Sequence, residues 1–159
     1  MSEKKIPSTI IIAPHPDDEI IGCYEVLMTS NPIILYDADI DLNRKNEALE
    51  LKKHVKIKAQ FFHKDIPISF LTPNTKLYAP DPFFEVHPEH RRWGFIAEQL
   101  ARKGVDVIFY NTIMNAPYIH ETKMKEKEDL LNKVYPSQNS LWKYEKKYVI
   151  YEGYCKWIF

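Results

Sequence analysis

Cysteine is scarce: Cys23 and Cys155 stand far apart in a chain of 159 residues. Two such residues cannot build a disulfide framework or a cysteine-rich zinc knuckle, so buried free thiols and a reducing cytoplasm are expected. Charge of one sign is lacking too, since Lys plus Arg and Asp plus Glu both number 22. That balance predicts no nucleic-acid and no membrane-surface partner. No apolar stretch approaches the ~20 residues of a membrane span. Behind Met1-Ser2-Glu3-Lys4-Lys5 come Pro7 and a short strand, where a signal peptide would carry its apolar core. Repeats, low-complexity tracts and linkers are absent, and one domain over residues 1–159 is expected.

What is present alternates between two periods. Residues 8–13 are an apolar run of the kind found in strands buried on both faces. Residues 16–30 follow as a helix with Ile20, Ile21, Val26 and Leu27 on its inner side. A second strand over 32–36 runs into Asp37, Asp39 and Asp41; an amphipathic helix over 42–55 and a short strand over 59–63 come next. Residues 64–86 break the rhythm with Pro67, Pro73, Pro80 and Pro82, reading as a long loop that serves as lid or substrate wall. A helix over 88–103 closed by Gly104, a strand over 105–110, a charged helix over 121–135 and a β-prone tail over 147–159 complete the chain. This order predicts a three-layer α/β/α Rossmann-like fold with a mostly parallel sheet.

Two turns carry the chemistry. His15-Pro16-Asp17-Asp18-Glu19 directly follows the first strand, and His87-Pro88-Glu89-His90 opens a later helix. Each could be a plain helix start, because Pro suits the first turn and acids complement the helix dipole. Three consecutive carboxylates beside a histidine exceed what a helix start needs, and they repel one another unless a cation sits among them. The recurrence of His-Pro-acid before a second helix then points to one metal site at the carboxyl edge of the sheet. His15 and Asp18 lie one helical turn apart and can reach the same ion, with His90 as third ligand and positions left for water and substrate. Asp17 is placed as general base, and His87 as oxyanion stabiliser and acid. Glu89 is expected to orient a neighbouring imidazole. Two His and one carboxylate suit Zn2+, with Fe2+ also possible.

These motifs resemble the PIG-L / LmbE-like family of zinc-dependent N-acetylglucosaminyl deacetylases. Arg44-Lys45-Asn46-Glu47 is similar to the family's Arg-x-x-Glu, and Tyr135-Pro136-Ser137-Gln138 to a later family motif; the likeness runs over residues 9–138. It implies hydrolysis of an N-acetyl group from an N-acetylglucosamine-type amino sugar or conjugate on a Rossmann-like fold. His15, Asp18 and His90 would hold zinc, Asp17 would be the base, and His87 would hold the oxyanion. Arg44 would contact the sugar and Asp65 would bind a hydroxyl. Glu89 stands where the family usually has Asp. The chain departs from the pattern in its short length, in Gly22-Cys23-Tyr24 where a glycine pair is usual, and in the acids of Asp37-Ala38-Asp39-Ile40-Asp41. Those acids could disfavour an anionic substrate, or form a turn and cap a helix. Hydrolysis of a different small amide, or sugar binding without catalysis, are the competing readings. His63 could serve the pocket or sit in the core, His54 and His120 read as surface residues, and Tyr78, Phe83 and Phe84 could stack on a sugar or pin the loop.

Overall fold

The computed structural model describes residues 8–63, 71 and 73–157. Strand β1 (Thr9–Ala13) leads to helix α1 (Asp18–Ser30), β2 (Ile33–Asp37) to α2 (Leu42–Glu50), and a 3-10 turn over Leu51–Lys53 to β3 (Lys58–Phe62). After β4 (Lys76–Pro80) come α3 (Pro88–Arg102) and β5 (Asp106–Tyr110). The remainder is β6 (His120–Glu121), α4 (Met124–Val134), α5 (Asn139–Tyr144), α6 (Lys147–Ile150), β7 (Tyr151–Glu152) and β8 (Tyr154–Cys155). The main sheet runs β3-β2-β1-β4-β5-β8, parallel throughout except for β8, and helices cover both faces. The expected Rossmann-like α/β/α fold is what forms. None of the described helices is long and apolar enough to cross a membrane.

Two-sided burial explains the central strand. Ile10 and Ile12 join Trp93 and Ala97 of α3 on one face, while Ala13 joins Ile20, Leu27 and Tyr36 on the other. Ile11 packs with Cys23 and Tyr110. A fully buried Ile contributes about 1.5–3 kcal/mol, so this run leaves no solvent-facing register for β1 to slip into.

Strand β4 corrects the reading of residues 64–86 as one long loop. Its five residues pair with β1 through Thr9↔Lys76 to Ile11↔Tyr78 and with β5 as far as Pro80↔Tyr110. Flanking prolines and a leading lysine hide so short a strand. Pairing with β1 stops at Tyr78, so the missing N–H of Pro80 costs no β1 bond. Consequently α3 follows β4, the immediate neighbour of β1. Gly94 brings α3 down onto this strand, because a Cβ there would lie 2.5 Å from the Pro80 carbonyl oxygen. Gly104, at φ 95°, ends α3 as expected. The tail expected to be β-prone forms α6 first, then β7 and β8.

The aromatic residues of that stretch pack on aromatic residues outside it. Tyr78 meets Tyr154, Phe83 meets Phe95 and Trp157, and Phe84 meets Tyr118 and Trp157. These contacts pin the segment.

Candidate metal centre

Strand order reverses between β1 and β4, and the crevice outside their carboxyl ends is where sheets of this kind take ligands. His15 leaves β1 there, and the segment after β4 delivers His87 and His90. His15 Nδ1 lies 3.0 Å from His90 Nε2, and Asp18 Oδ2 lies 3.0 Å from His90 Nε2 and 3.5 Å from His15 Nδ1. A tetrahedral ion with ligands at ~2.1 Å has its ligand atoms roughly 3.4 Å apart, so this triangle matches one face of such a shell. His15, His87 and His90 each offer a ring nitrogen within 4.8 Å of the others and form a group that could hold a metal ion. Thus all four residues expected around the ion, three ligands and one neighbour, come together.

Local structure explains why each side chain points inward. Asp18 opens α1 and accepts the His15 backbone N–H at 2.8 Å, which folds the turn onto itself. His87 caps α3, its Nδ1 accepting the Glu89 N–H at 3.1 Å, so a single ring proton must sit on Nε2. Burial, then the neighbouring His15 and His90, lower its pKa and favour the neutral ring. Burial alone would lower His90 as well, but Asp18 and then Glu85 push it up to about 10. Asp18 moves the other way: its desolvation is outweighed by His90 and His15, which hold the carboxylate well below its usual range.

Asp17 has a distinct setting. Its backbone takes φ 127°, a conformation that side chains other than glycine's seldom adopt. The carboxylate is buried, 3.4 Å from the Arg44 guanidinium, which also donates to the Pro16 carbonyl. Burial and then the Asp18 charge push its pKa well up, against the pull of Arg44. Two adjacent carboxylates are thereby driven apart, a common mark of divided acid-base duties. Asp17 lines the same cavity as His15, Asp18, His87 and His90, a space of about 370 Å³ also walled by Arg44, Gln138 and Leu141. A second cavity of about 480 Å³ lies on the other flank of His15, against Asp37, Ile40 and Arg92.

Glu19 supports the turn from below. It is fully buried, accepts the Asp17 N–H at 3.1 Å and the Tyr135 hydroxyl, and burial raises its pKa to about 7. Tyr135 in turn lies under the Arg44 guanidinium, and the Ser137 hydroxyl donates to Glu47. The two supporting motifs of the sequence therefore touch each other and brace the first.

Glu89 does not orient an imidazole. Its carboxylate bonds to Arg92 at 3.1–3.3 Å and its side chain is 43% exposed, because at the second position of α3 it points away from the cleft. The carboxylate on His90 is Glu85, which sequence reasoning missed: its Oε2 is 3.3 Å from Nδ1, and the Thr112 N–H and hydroxyl hold it in place. Such a partner fixes the proton on Nδ1 and turns the Nε2 lone pair toward the cleft. Glu85 lies two residues before His87 but inside the stretch read as loop; Thr112 lies just beyond β5, with no motif to mark it.

Of the acids at the end of β2 and beyond it, Asp41 accepts the Arg44 N–H as helix cap, and Asp37 accepts from Asp39 N–H, Arg92 and Trp93. The turn-and-cap role holds for both. Burial would raise Asp37, but those donors, led by the Asp39 N–H, lower it. His63 is not in the core; its side chain is exposed beside Asp39. His54 sits half-exposed near Glu50, and His120 is exposed by Glu25. Asp65 lies outside the described residues. No protein-family model, curated protein or solved structure matches the chain.

Proposed function

We propose that the chain is a metal-dependent hydrolase that removes the N-acetyl group from an N-acetylglucosamine-type amino sugar or conjugate. One observation carries the reading: His15 Nδ1, Asp18 Oδ2 and His90 Nε2 stand 3.0–3.5 Å apart, with the separate carboxylate of Asp17 on the same cavity. Those three are the ligands in this reading and His87 stands outside them, since it belongs only to the looser 4.8 Å group. Two imidazoles and a carboxylate suit zinc, and they leave room for water and substrate. Bound there, zinc supplies Lewis acidity, acidifying water and polarising an acyl oxygen.

The chain's own residues do the rest. Asp17 takes a proton from the attacking water, and its desolvated setting makes it a stronger base than an exposed carboxylate. Arg44 steadies that carboxylate. His87 presents an Nε2–H to the oxyanion as the carbonyl becomes tetrahedral, a role that a neutral imidazole can fill. When the C–N bond breaks, the proton gained by Asp17 passes to the nitrogen, in place of the acid role expected of His87, whose ring is neutral, giving acetate and a free amine.

The test is amine release from N-acetylglucosamine, its conjugates and other small amides, with protein whose metal content is measured under aerobic and anaerobic purification. Zinc-dependent release from the sugars, lost on chelation and restored on adding zinc back, is the expected result. Iron in the anaerobic preparation, with activity following iron, would reassign the metal. A protein that takes up neither ion, or releases amine from none of the panel, refutes the reading.

A further inference from the structure

Helix α1 is not regular. Cys23 takes φ −135° and ψ 30°, a break one turn and a half beyond Asp18. An uninterrupted helix would join the Glu25 N–H to the Ile21 carbonyl. Here two buried ionisable side chains take those groups instead. The Lys127 ammonium of α4 donates to the Ile21 carbonyl at 2.5 Å and to the Tyr151 carbonyl at 2.9 Å. Glu152 of β7 accepts the Glu25 N–H at 3.0 Å and also the Tyr154 hydroxyl. Both side chains belong to fully buried residues, and neither touches the cleft. Insertion of side chains into the ladder is a recognised cause of a sharp kink.

We propose that Lys127 and Glu152 are positioning residues for the metal-holding turn, clasping α1 in its kinked form so that Asp17 and Asp18 reach the cleft from the required direction. The inference rests on the reading of His15, Asp18 and His90 as ligands. Cys23 lies five helical steps beyond Asp18, about 7.5 Å of helix. Undoing a bend of even ~20° would swing Asp18 by roughly 2.5 Å. Binding constellations tolerate only ~0.5 Å. The kink also lets Gly22 lie flat against Tyr110, where a Cβ would come within 2.2 Å of the ring. Buried charges of this kind rarely improve on well-packed apolar side chains for stability, so a geometric duty accounts for their presence better than a stabilising one.

Zn2+ affinity, the Co2+ absorption spectrum and the Cys23 13Cα shift, measured on full-length protein, test the proposal. Lys127→Met/Glu152→Leu removes both ionisable groups together, so neither is left buried without the other. That variant, folded by circular dichroism, should bind Zn2+ ~10–100-fold more weakly, the scale seen when supporting residues of a metal site are lost. Its Co2+ spectrum should change, and its Cys23 shift should become helical. Glu152→Gln keeps an acceptor for the Glu25 N–H and should retain wild-type affinity, spectrum and shift. A folded double variant with unchanged affinity and spectrum overturns the proposal. Should the double variant not fold, Glu152→Leu read beside Glu152→Gln decides: weakened binding in the former alone supports a role for the hydrogen bond, and wild-type binding in both overturns it. Wild-type protein that binds neither ion sinks the ligand reading instead, and the Cys23 shift then still reports whether the pair holds the kink.

Discussion

Buried charge gathers at two places along α1, and the two are satisfied in opposite ways. At its kink, Lys127 and Glu152 are sealed in and matched to backbone groups, a carbonyl for the ammonium and an amide for the carboxyl group. At its amino end, His15, Asp18 and His90 turn their polar atoms toward one another across an open cavity. Sealed charges complete a structure. Charges that converge on space leave chemistry for a ligand to complete.

Four experiments press on that contrast, beginning with the greatest expected effect. Asp17→Asn should cut amine release ~10²–10⁴-fold, the usual worth of a general base, while zinc content stays at the wild-type level. Equal turnover in the variant would remove Asp17 from the chemistry. Glu85→Ala should weaken zinc binding ~10–100-fold in a competition titration, because His90 loses the carboxylate that orients it.

The third experiment turns to the sealed pair. Burial raises Glu152 to about 7, opposed by Lys127. The folded protein therefore keeps this proton up to about pH 7, whereas the unfolded chain releases it near 4.5. Between those values the folded state binds more protons, so this contribution to stability is lost as pH rises. Lys127, lowered to about 8 by burial, remains charged throughout that window, and Glu25 and Tyr154 also face the group. Urea unfolding of Glu152→Gln at pH 5 and 7 should show a flatter dependence than wild type; an unchanged slope would contradict the assignment. Glu89→Ala should do least. Its half-exposed ion pair with Arg92 is of a kind worth about 0–1 kcal/mol, and zinc affinity should be unaltered in the same titration used for Glu85.

The parts legible in the sequence were those with a period or a tight spacing. The Ile10-Ile11-Ile12 run marked a two-sided strand, and the three-residue spacing of His15 and Asp18 marked a turn of ligands, although His15 precedes α1 and the pair meets across that turn, not along a helix face. Strand β4 escaped because five residues between prolines carry little periodicity; with it went the fact that both turns hang from adjacent strands. Glu85 escaped for a related reason. Its role depends on Thr112, which only the pairing of β4 with β5 brings near. Glu89 was misassigned because proximity in sequence is not direction: at a helix start, neighbouring side chains diverge by ~100° per residue. The clasp of Lys127 and Glu152 on α1 links positions more than a hundred residues apart, and nothing local announces it.

The backbone of Asp17 has one more consequence. Its φ of 127° suits glycine, which adopts such angles at no steric cost. Asp17→Gly should therefore melt at a higher temperature than wild type by calorimetry, even as it loses the carboxylate. A library sorted on heat resistance alone would drift toward glycine there, and one sorted on turnover would refuse it. Disagreement between those two outcomes would show that position 17 trades robustness for reactivity.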